Sequence, residues 1–577
     1  MSGRGRAAWI AALAAGVALF APAAAFGHAA LLHTSPQASV TVNGSPARVS
    51  LTYSDVIEPK FAIVSVTDAA GHSQVAGNPT RSKANLHEID VPVRHLDRGW
   101  YLVFWRVISA DGHPVRGAFT FAVGPNAGPA PQFVVPSLRE TAATPSLLIA
   151  RWVMFLSLMA AVGLLAFRTF VARPIVHRVP ESSLRAVSVA LAVAFGVALV
   201  AVPVYVDLAT AQFTLRSAFD VPALVPLMRS SSFGRSLLDL EVGLALGAVA
   251  AAITVRLDRP DRELRSIAAL LALIGAGAAL AAALVVPGLA GHAADYSPRG
   301  VSLSLDWLHL AGGGLWIGGL IGLVTLGATA GARRVACMVV VVPRFSRVAL
   351  GSVLVLVASG TVVSFIRLPT LSSLFDTGYG QALVVKIGIL FAALGLAAVN
   401  LLRTTPRLEA SRSRPGLGES TVSTLRRLVG GEVALVVGAI FVAGLLSSLA
   451  PPPKALGAIG QAEATVGPGP VTRTLTHGAY RIGVQIAPNR AAVPNAFSVK
   501  VERNGQPVKN ADVIAKFTML DMEMTPQAYH LDQQQPAIYA KKSVPSLVMV
   551  GRWGVSFSIA PPGQRPFDVL LLDHAQG

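Results

Sequence analysis

The stretch that decides the fold of the central region is 303-LSLDWLHLAGGGLWIGGLIGLVT-325. A run of this length and apolar character can cross the hydrocarbon core of a bilayer as one helix. Similar stretches lie on both sides of it, at about 147–167, 186–206, 236–256, 266–287, 347–366, 381–402 and 431–450. The sequence therefore predicts an all-α membrane domain of eight helices over residues 147–450.

Composition supports this interpretation for much of the chain. Of 577 residues, 53% are hydrophobic and 14% are charged, and the mean hydropathy is +0.57. Soluble globular chains carry about 25% charged residues. The net charge of +18 is spread between apolar runs rather than gathered in one patch, and no zinc finger, RNA-binding signature or basic helix accompanies it. We therefore expect a lipid bilayer as a partner and no nucleic acid.

The N-terminus has the three parts of a secretory signal peptide. Arg4 and Arg6 precede an apolar run from about Ala7 to Phe20, and Ala25-Phe-Gly27 supplies small residues at the cleavage site. We predict a signal peptide over residues 1–27 with cleavage before His28. An uncleaved anchor helix is the alternative.

The basic residues predict the orientation of the membrane domain. With the N-terminal domain outside, the inner connections carry 18 arginines and the outer connections carry five. This asymmetry agrees with the positive-inside rule. We expect a multi-pass protein of a bacterial plasma membrane with both terminal domains on the outer, periplasmic side.

Two small exported β-domains are predicted to flank the helices. Residues 28–124 and 471–577 alternate apolar and polar residues in short runs, which is typical of an all-β sandwich or barrel. Segments rich in Pro, Gly and Ala at 125–146 and 451–470 are predicted linkers. The one cysteine, Cys337, is predicted to lie between two membrane helices on the inner side, so any outer metal site uses other ligands.

A metal site is predicted in the first β-domain. Cleavage would leave His28 with an α-amino group and an imidazole that can together chelate a tetragonal Cu(II) ion. Asp111 and His113 are two residues apart and project to one face if the segment is extended. The residues alone leave Zn(II) or Ni(II) open, as well as a solvent-exposed histidine beside an ordinary Asp-Gly turn.

Polar residues inside the predicted helices are candidates for a metal pathway, because such residues are costly in lipid. Asp306 and His309 are three residues apart on one helix face, and His292 follows the fourth helix. Lys386 lies inside helix seven and Glu432 near the start of helix eight. The alternative is that Lys386 snorkels and that His309 bonds a neighbouring carbonyl.

The last domain contains an unusual group of methionines. Met522 and Met524 alternate on one predicted strand, with His530 and Met549 downstream. Thioethers suit Cu(I), so these residues form a candidate Cu(I) site. A methionine-filled core is the alternative.

The N-terminal motifs closely resemble the periplasmic copper-binding CopC family. They are His28-Ala-Ala-Leu, Ser35-Pro36 and Trp105-Arg-Val-Ile-Ser-Ala-Asp111-Gly-His113-Pro-Val-Arg-Gly117. The resemblance implies a cupredoxin-like barrel with His28, Asp111 and His113 as Cu(II) ligands. Some members have an additional methionine-rich Cu(I) site, but residues 28–124 contain no methionine. The resemblance therefore implies a domain for Cu(II) alone.

The membrane region resembles the CopD copper-resistance family over about residues 147–450. The matching pieces are Gly291-His292-Ala293, Asp306 and His309 with Trp316-Ile-Gly-Gly, and Tyr379-Gly-Gln-Ala-Leu-Val-Val-Lys386 with Asn400. Fusions of the two families are linked to copper uptake, which implies copper as the bound ion. The last domain is similar to YtkA-like exported domains through Met522-x-Met524 and Val-Met549-Val-Gly-Arg-Trp553.

Three functions from different classes follow. The first is a copper importer or tolerance protein that captures Cu(II) outside and passes copper through the core. The second is a membrane-anchored copper donor or assembly factor for copper oxidases, without transport. The third is an enzyme such as a membrane reductase with haem on intramembrane histidines; no nucleotide loop, flavin motif or Cys-x-x-Cys-His supports it. We expect a protein that is not an enzyme, and copper chaperones on either side as candidate partners.

Overall fold

The computed structural model describes residues 31–576 with gaps. The gaps are residues 39, 54–55, 58, 109–113, 126, 128–130, 132, 134–143, 215–217, 220–221, 223, 226–227, 229–231, 259–261, 263, 292, 294–297, 412–417, 450–451, 453–461, 521–526, 545 and 549. Within the described residues the chain forms a β-sandwich, a helical core and a second β-sandwich, which confirms the predicted fold class.

The first β-sandwich consists of two four-stranded sheets. Their orders are β1-β3-β6-β5 and β2-β8-β7-β4. The strands are β1 Leu31–Ser35, β2 Thr41–Val42, β3 Arg48–Tyr53, β4 Ile63–Asp68, β5 Thr80–Arg81, β6 Glu88–Pro92, β7 Gly99–Ile108 and β8 Pro114–Val123. Alternation along the strands buries one face of each sheet, and Val49, Leu51 and Val103 are fully buried between them.

The β7–β8 hairpin carries the centre of this sandwich. The two strands pair antiparallel over their whole length, from Gly99 opposite Val123 to Ile108 opposite Pro114. A Cβ at Gly117 would lie 2.6 Å from the ring of Trp105, its partner in the register, so only glycine admits this indole. The hairpin therefore holds its two ends, which flank residues 109–113, in a fixed register.

Eight long apolar helices follow, as predicted, and each is long enough to span a membrane. They are α1 Pro145–Ala166, α2 Arg185–Thr214, α3 Ser232–Leu257, α4 Ile267–Ala283, α5 Arg299–Thr329, α6 Arg334–Arg367, α7 Gly378–Val399 and α8 Gly418–Leu446. Two of them continue into π-helical turns, at Phe167–Ala172 after α1 and at Asn400–Thr404 after α7.

Two helices begin well before the predicted starts. α6 begins at Arg334 rather than at about 347, and α8 begins at Gly418 rather than at about 431. In α6 the residues Pro343 and Arg344 interrupt the apolar run, but the helix continues through them to the buried apolar stretch 337–342. In α8 the added part is polar and carries Arg426 and Arg427. The Arg344 guanidinium donates to the carbonyl of Val340 one turn back, at 2.7 Å. Cys337 is consequently buried inside α6, and its predicted place in a connection was wrong.

Glycines bring α5 against its neighbours. A Cβ at Gly318 would lie 2.5 Å from the Cα of Gly163 on α1, and a Cβ at Gly312 would lie 2.9 Å from the carbonyl oxygen of Ser352 on α6. Backbones that approach this closely leave no room for side chains. The glycine run therefore places α5 at the centre of the bundle, where it positions the polar residues described below.

The second β-sandwich packs a six-stranded sheet, β10-β11-β12-β17-β16 with β13 beside β12, on a five-stranded sheet, β15-β14-β18-β19-β9. The strands are β9 Ala464–Val466, β10 Val471–His477, β11 Tyr480–Ala487, β12 Asn495–Arg503, β13 Gln506–Pro507, β14 Asp512–Met519, β15 Gln527–His530, β16 Asp532–Gln535, β17 Ile538–Val544, β18 Gly551–Ala560 and β19 Phe567–Ala575.

One strand of this domain lies inside a predicted linker. β9 falls within 451–470, where prolines and glycines on both sides hide a strand of three residues. It pairs parallel with β19, through Leu571 opposite Ala464. Because this pairing joins distant parts of the chain, no local pattern could predict it.

The β-domains contact each other and the helices. Thr120 in β8 donates to the carbonyl of Ala492 in the second sandwich at 2.8 Å, and neither side chain is exposed. At the other end of the hairpin, fully buried Arg106 donates to the carbonyl of Gln212 in α2 at 3.2 Å, while Ile108 belongs to the same apolar cluster as the helices. The end of β7 next to residues 109–113 thus lies against the membrane core.

Candidate metal pathway in the membrane core

The structure describes only part of the predicted sites. Asp306, His309 and His530 can be placed. The other predicted ligands lie outside the described residues, namely His28, Asp111, His113, His292, Met522, Met524 and Met549. For these residues the sequence-based expectations stay predictions.

His309 of α5 lies where this helix meets α6 and α7, and both neighbouring helices contact its imidazole. On the α6 side, its Nδ1 atom is 3.2 Å from the Ser359 hydroxyl. A Cβ at the next residue, Gly360, would lie only 3.0 Å from the His309 ring, so this glycine makes space for the imidazole. On the α7 side, the Lys386 ammonium lies 3.5 Å from His309 Nε2.

These contacts define the tautomer of the imidazole. The Ser359 hydroxyl donates to the Val355 carbonyl of its own helix at 2.7 Å, so it is left to accept from His309. The imidazole then carries its hydrogen on Nδ1, and Nε2 presents a lone pair. Lys386 can only donate, which fits that lone pair. A metal ion reaching His309 would bind Nε2, and it would have to displace the ammonium group.

Asp306 lies one turn nearer the predicted outer end of α5. Its carboxylate accepts from the Arg367 guanidinium at the end of α6, at 3.1 Å. Both side chains are mostly buried, with 27% and 14% of their surfaces exposed, respectively. The sequence places Asp306 and His309 on one face, but it gave no signal that Arg367, predicted as part of an outer connection, would pair with Asp306.

Two further polar clusters were not anticipated from the sequence. Arg151 of α1, buried near the predicted outer surface, donates to the Tyr205 hydroxyl of α2 at 3.0 Å and to Ser447 after α8 at 3.2 Å. At the opposite end, the fully buried carboxylate of Asp258 accepts from Arg168 at 3.0 Å and from Arg173 at 3.1 Å. Both clusters join helix ends and lie away from His309 in sequence.

The predicted Cu(I) site has one described member. His530 is exposed on β15, and its Nδ1 atom lies 3.1 Å from an oxygen of Asp512 on the adjacent β14. Over the described residues, no group of three or more His, Cys, Asp and Glu side chains is arranged to hold a metal ion. The described part of this domain therefore places His530 beside one carboxylate, that of Asp512.

A chain with two β-sandwiches on a core of eight membrane-spanning helices, with an imidazole at a helix junction, is a multi-pass membrane protein. Two family models match it: the CopC domain at residues 31–124 and Copper resistance protein D at residues 339–446. The chain thus belongs to the copper-resistance proteins that join CopC and CopD domains, which confirms that assignment from its sequence. The second match covers most of α6 together with α7 and α8, so it includes Lys386 but begins after His309.

Two relatives agree with this assignment in sequence, and a solved structure is also similar in sequence to part of the chain. The chain is 27% identical to Copper transport protein CutJ of Bacillus subtilis over 500 residues, 86% of each chain. It is 33% identical to Copper resistance protein C of Xanthomonas campestris pv. juglandis, over 18% of this chain and 87% of that protein. The solved structure of the methionine-rich PcoC of Escherichia coli is 29% identical, covers 17% of this chain and 99% of its own, and has a TM-score of 0.16.

These matches support copper binding and copper transport as the activity of the family. The relatives are named as copper transport and resistance proteins rather than as enzymes. The two family models cover residues 31–124 and 339–446, and the YtkA-like character of the C-terminal domain stays a prediction.

Proposed function

We propose that this protein captures Cu(II) outside the plasma membrane and passes copper inward through the helical core, with His309 as an intramembrane ligand. The observation that carries the proposal is the imidazole at the junction of α5, α6 and α7, whose Nε2 atom faces Lys386. Intramembrane ionisable groups of this kind mark ion pathways.

In this proposal the N-terminal domain captures the Cu(II) ion. The predicted ligands are the amine and imidazole of His28 with Asp111 and His113, and the CopC match over 31–124 supports this assignment. β7 and β8 fix both ends of the segment that carries Asp111 and His113. Because Ile108 at one of these ends packs with the helices, copper released from this domain would start close to the membrane core.

The ion would next meet the paired side chains of Asp306 and Arg367 and then His309. Asp306 and His309 are three residues apart on α5, which corresponds to a rise of about 4.5 Å along the helix. At His309 the incoming ion replaces the Lys386 ammonium at Nε2, so the lysine keeps the site closed to cations that bind imidazole weakly. We infer a carrier of copper ions rather than an enzyme, with both β-domains outside.

Copper uptake into vesicles tests this function. The full chain is reconstituted with its terminal domains outside, and accumulation of radioactive copper is compared with that of His309→Ala. We expect uptake to fall at least about tenfold, a barrier increase of ~1.4 kcal/mol. His177→Ala is the matched control, because His177 is an exposed histidine in the connection after α1.

The anchored-donor alternative predicts a different result. An anchor would give no accumulation above empty vesicles, and His309→Ala would then change nothing. Uptake by His309→Ala at the rate of the unaltered protein would contradict the assigned role of His309 while leaving transport itself in place.

A further inference from the structure

A cavity of about 180 Å³ lies between α5, α6, α7 and α8. Its wall is mostly apolar and includes Trp316 and Phe345, but Asn400 and Glu432 also line it. Trp316 follows His309 by seven residues on α5, which places it about 10 Å further along the helix. With the proposed orientation, the cavity lies on the inner side of His309.

Two buried oxygen-bearing side chains meet at this cavity. Glu432 of α8 is 3% exposed, and Asn400 at the end of α7 is 9% exposed. The Asn400 amide nitrogen donates to one carboxylate oxygen of Glu432. In this orientation the amide oxygen of Asn400 is buried and has no hydrogen-bond partner among the described residues.

Among the described residues, no cationic side chain pairs with Glu432, so its ionised carboxylate would lack a counter-charge. A carboxylate in a low-dielectric interior is costly unless a cation or a proton neutralises it, and the neutral amide of Asn400 supplies only one hydrogen bond. A buried carbonyl oxygen without a donor carries a further cost. A cation between the two side chains would satisfy both oxygens at once, whereas an apolar ligand would satisfy neither.

The backbone at Asn400 is also irregular. The α-helix changes there to a π-helical turn over Asn400–Thr404, and the Thr405 hydroxyl donates to the carbonyl of Asn400 at 2.9 Å. Single π-helical turns are rare and occur frequently at functional sites. Here the turn places the Asn400 side chain at the cavity opposite Glu432.

We propose that Asn400 and Glu432 form a second cation site in the membrane core, which receives copper after His309. This inference rests on the proposed function for the identity of the ion. Glu432 supplies the charge and one oxygen ligand, Asn400 supplies its amide oxygen, and Ser346 of α6 also lines the cavity. Oxygen ligands favour Cu(II) over Cu(I) at this position.

The experiment measures copper retained at equilibrium by the full chain in lipid nanodiscs, with copper uptake as a second readout. Glu432→Gln removes the charge but keeps an oxygen that can accept from Asn400. We expect it to retain one copper ion fewer per chain and to take up copper at least about tenfold more slowly. Glu432→Asp should retain the ion, and Glu419→Gln, an exposed position on the same helix, should match the unaltered protein.

Retained copper is the deciding readout. If Glu432→Gln retains as much copper as the unaltered protein, the site is wrong, whatever happens to uptake. If the unaltered protein takes up no copper, the proposed transport is contradicted instead, and loss of one retained ion in Glu432→Gln would still support the site.

Discussion

The ammonium nitrogen of Lys386 lies 3.5 Å from Nε2 of His309, across the interface between α7 and α5. The lysine thus occupies the lone pair that a metal ion would use. Its positive charge also repels an approaching cation, by about 4 kcal/mol for unit charges 4 Å apart at an effective dielectric constant near 20. Lys386 is therefore expected to weaken copper binding at His309.

Replacing this lysine should strengthen copper binding. We expect Lys386→Leu, which removes the ammonium without adding a metal ligand, to lower the Kd for copper at His309 at least about tenfold, ~1.4 kcal/mol. The measurement is a copper titration against a competing chelator, in a chain whose outer site is disabled by Asp111→Ala and His113→Ala. Lys386→Arg keeps the charge and should give no increase in affinity; equal affinities for the Leu and Arg variants would refute the assigned role of Lys386.

The stability of the helical core should depend on the close glycine contact between α1 and α5. Gly318→Ala places a Cβ 2.5 Å from the Cα of Gly163, so the helices must separate, at a cost of about 1–3 kcal/mol. Gly277→Ala on α4 is the control, since nothing lies within 4 Å of its added Cβ. Thermal unfolding in detergent should show a lower Tm for Gly318→Ala alone. Equal values for both variants would mean that α1 and α5 are not held this closely.

The sequence predicts the individual helices and strands, but it does not predict which helix faces are in contact. Apolar length predicted all eight helices, and alternation predicted both sandwiches, because these signals are local. The pairing of His309 with Lys386 joins residues 77 positions apart, and the pairing of Asn400 with Glu432 depends on a π-helical turn. Hydropathy does not determine which helix faces meet, so these contacts needed the tertiary structure.

The outer Cu(II) site should form only when the signal peptide is cleaved immediately before His28. We expect the mature protein to begin at His28 and to bind Cu(II) with a d–d absorption band and a tetragonal electron paramagnetic resonance signal. His113→Ala should change both spectra and lower the affinity, whereas His72→Ala, at an exposed position in the turn after β4, should not. N-terminal sequencing of the purified protein is the accompanying check. A mature chain that starts elsewhere would remove the amine ligand and contradict this site.

The second sandwich should become more stable as the pH falls. Burial raises the pKa of Asp573 above its ordinary value, partly offset by the hydrogen bond from Asn489 at 2.8 Å. The folded domain therefore binds this proton more tightly than the unfolded chain does. The ionised Asp573 carboxylate destabilises the folded domain at pH values above its folded-state pKa. This destabilisation is lost as the pH falls towards the ordinary aspartate pKa of about 3.9.

Hydrogen exchange in β18 and β19 of the full chain measures this effect, after correction for the intrinsic exchange rates. Asp573→Asn should flatten the pH dependence and raise protection at neutral pH. Asp568→Asn, at an exposed position in the same strand, should leave the slope as it is. A slope that survives Asp573→Asn would assign it to another group.

The most direct test of the account is to observe copper on His309. X-ray absorption at the copper edge is recorded on the full chain with the outer site disabled by Asp111→Ala and His113→Ala, with and without His309→Ala. We predict imidazole scattering from bound copper, and loss of that scattering together with one equivalent of copper when His309 is replaced. An unchanged spectrum and copper content would contradict a copper pathway through this residue.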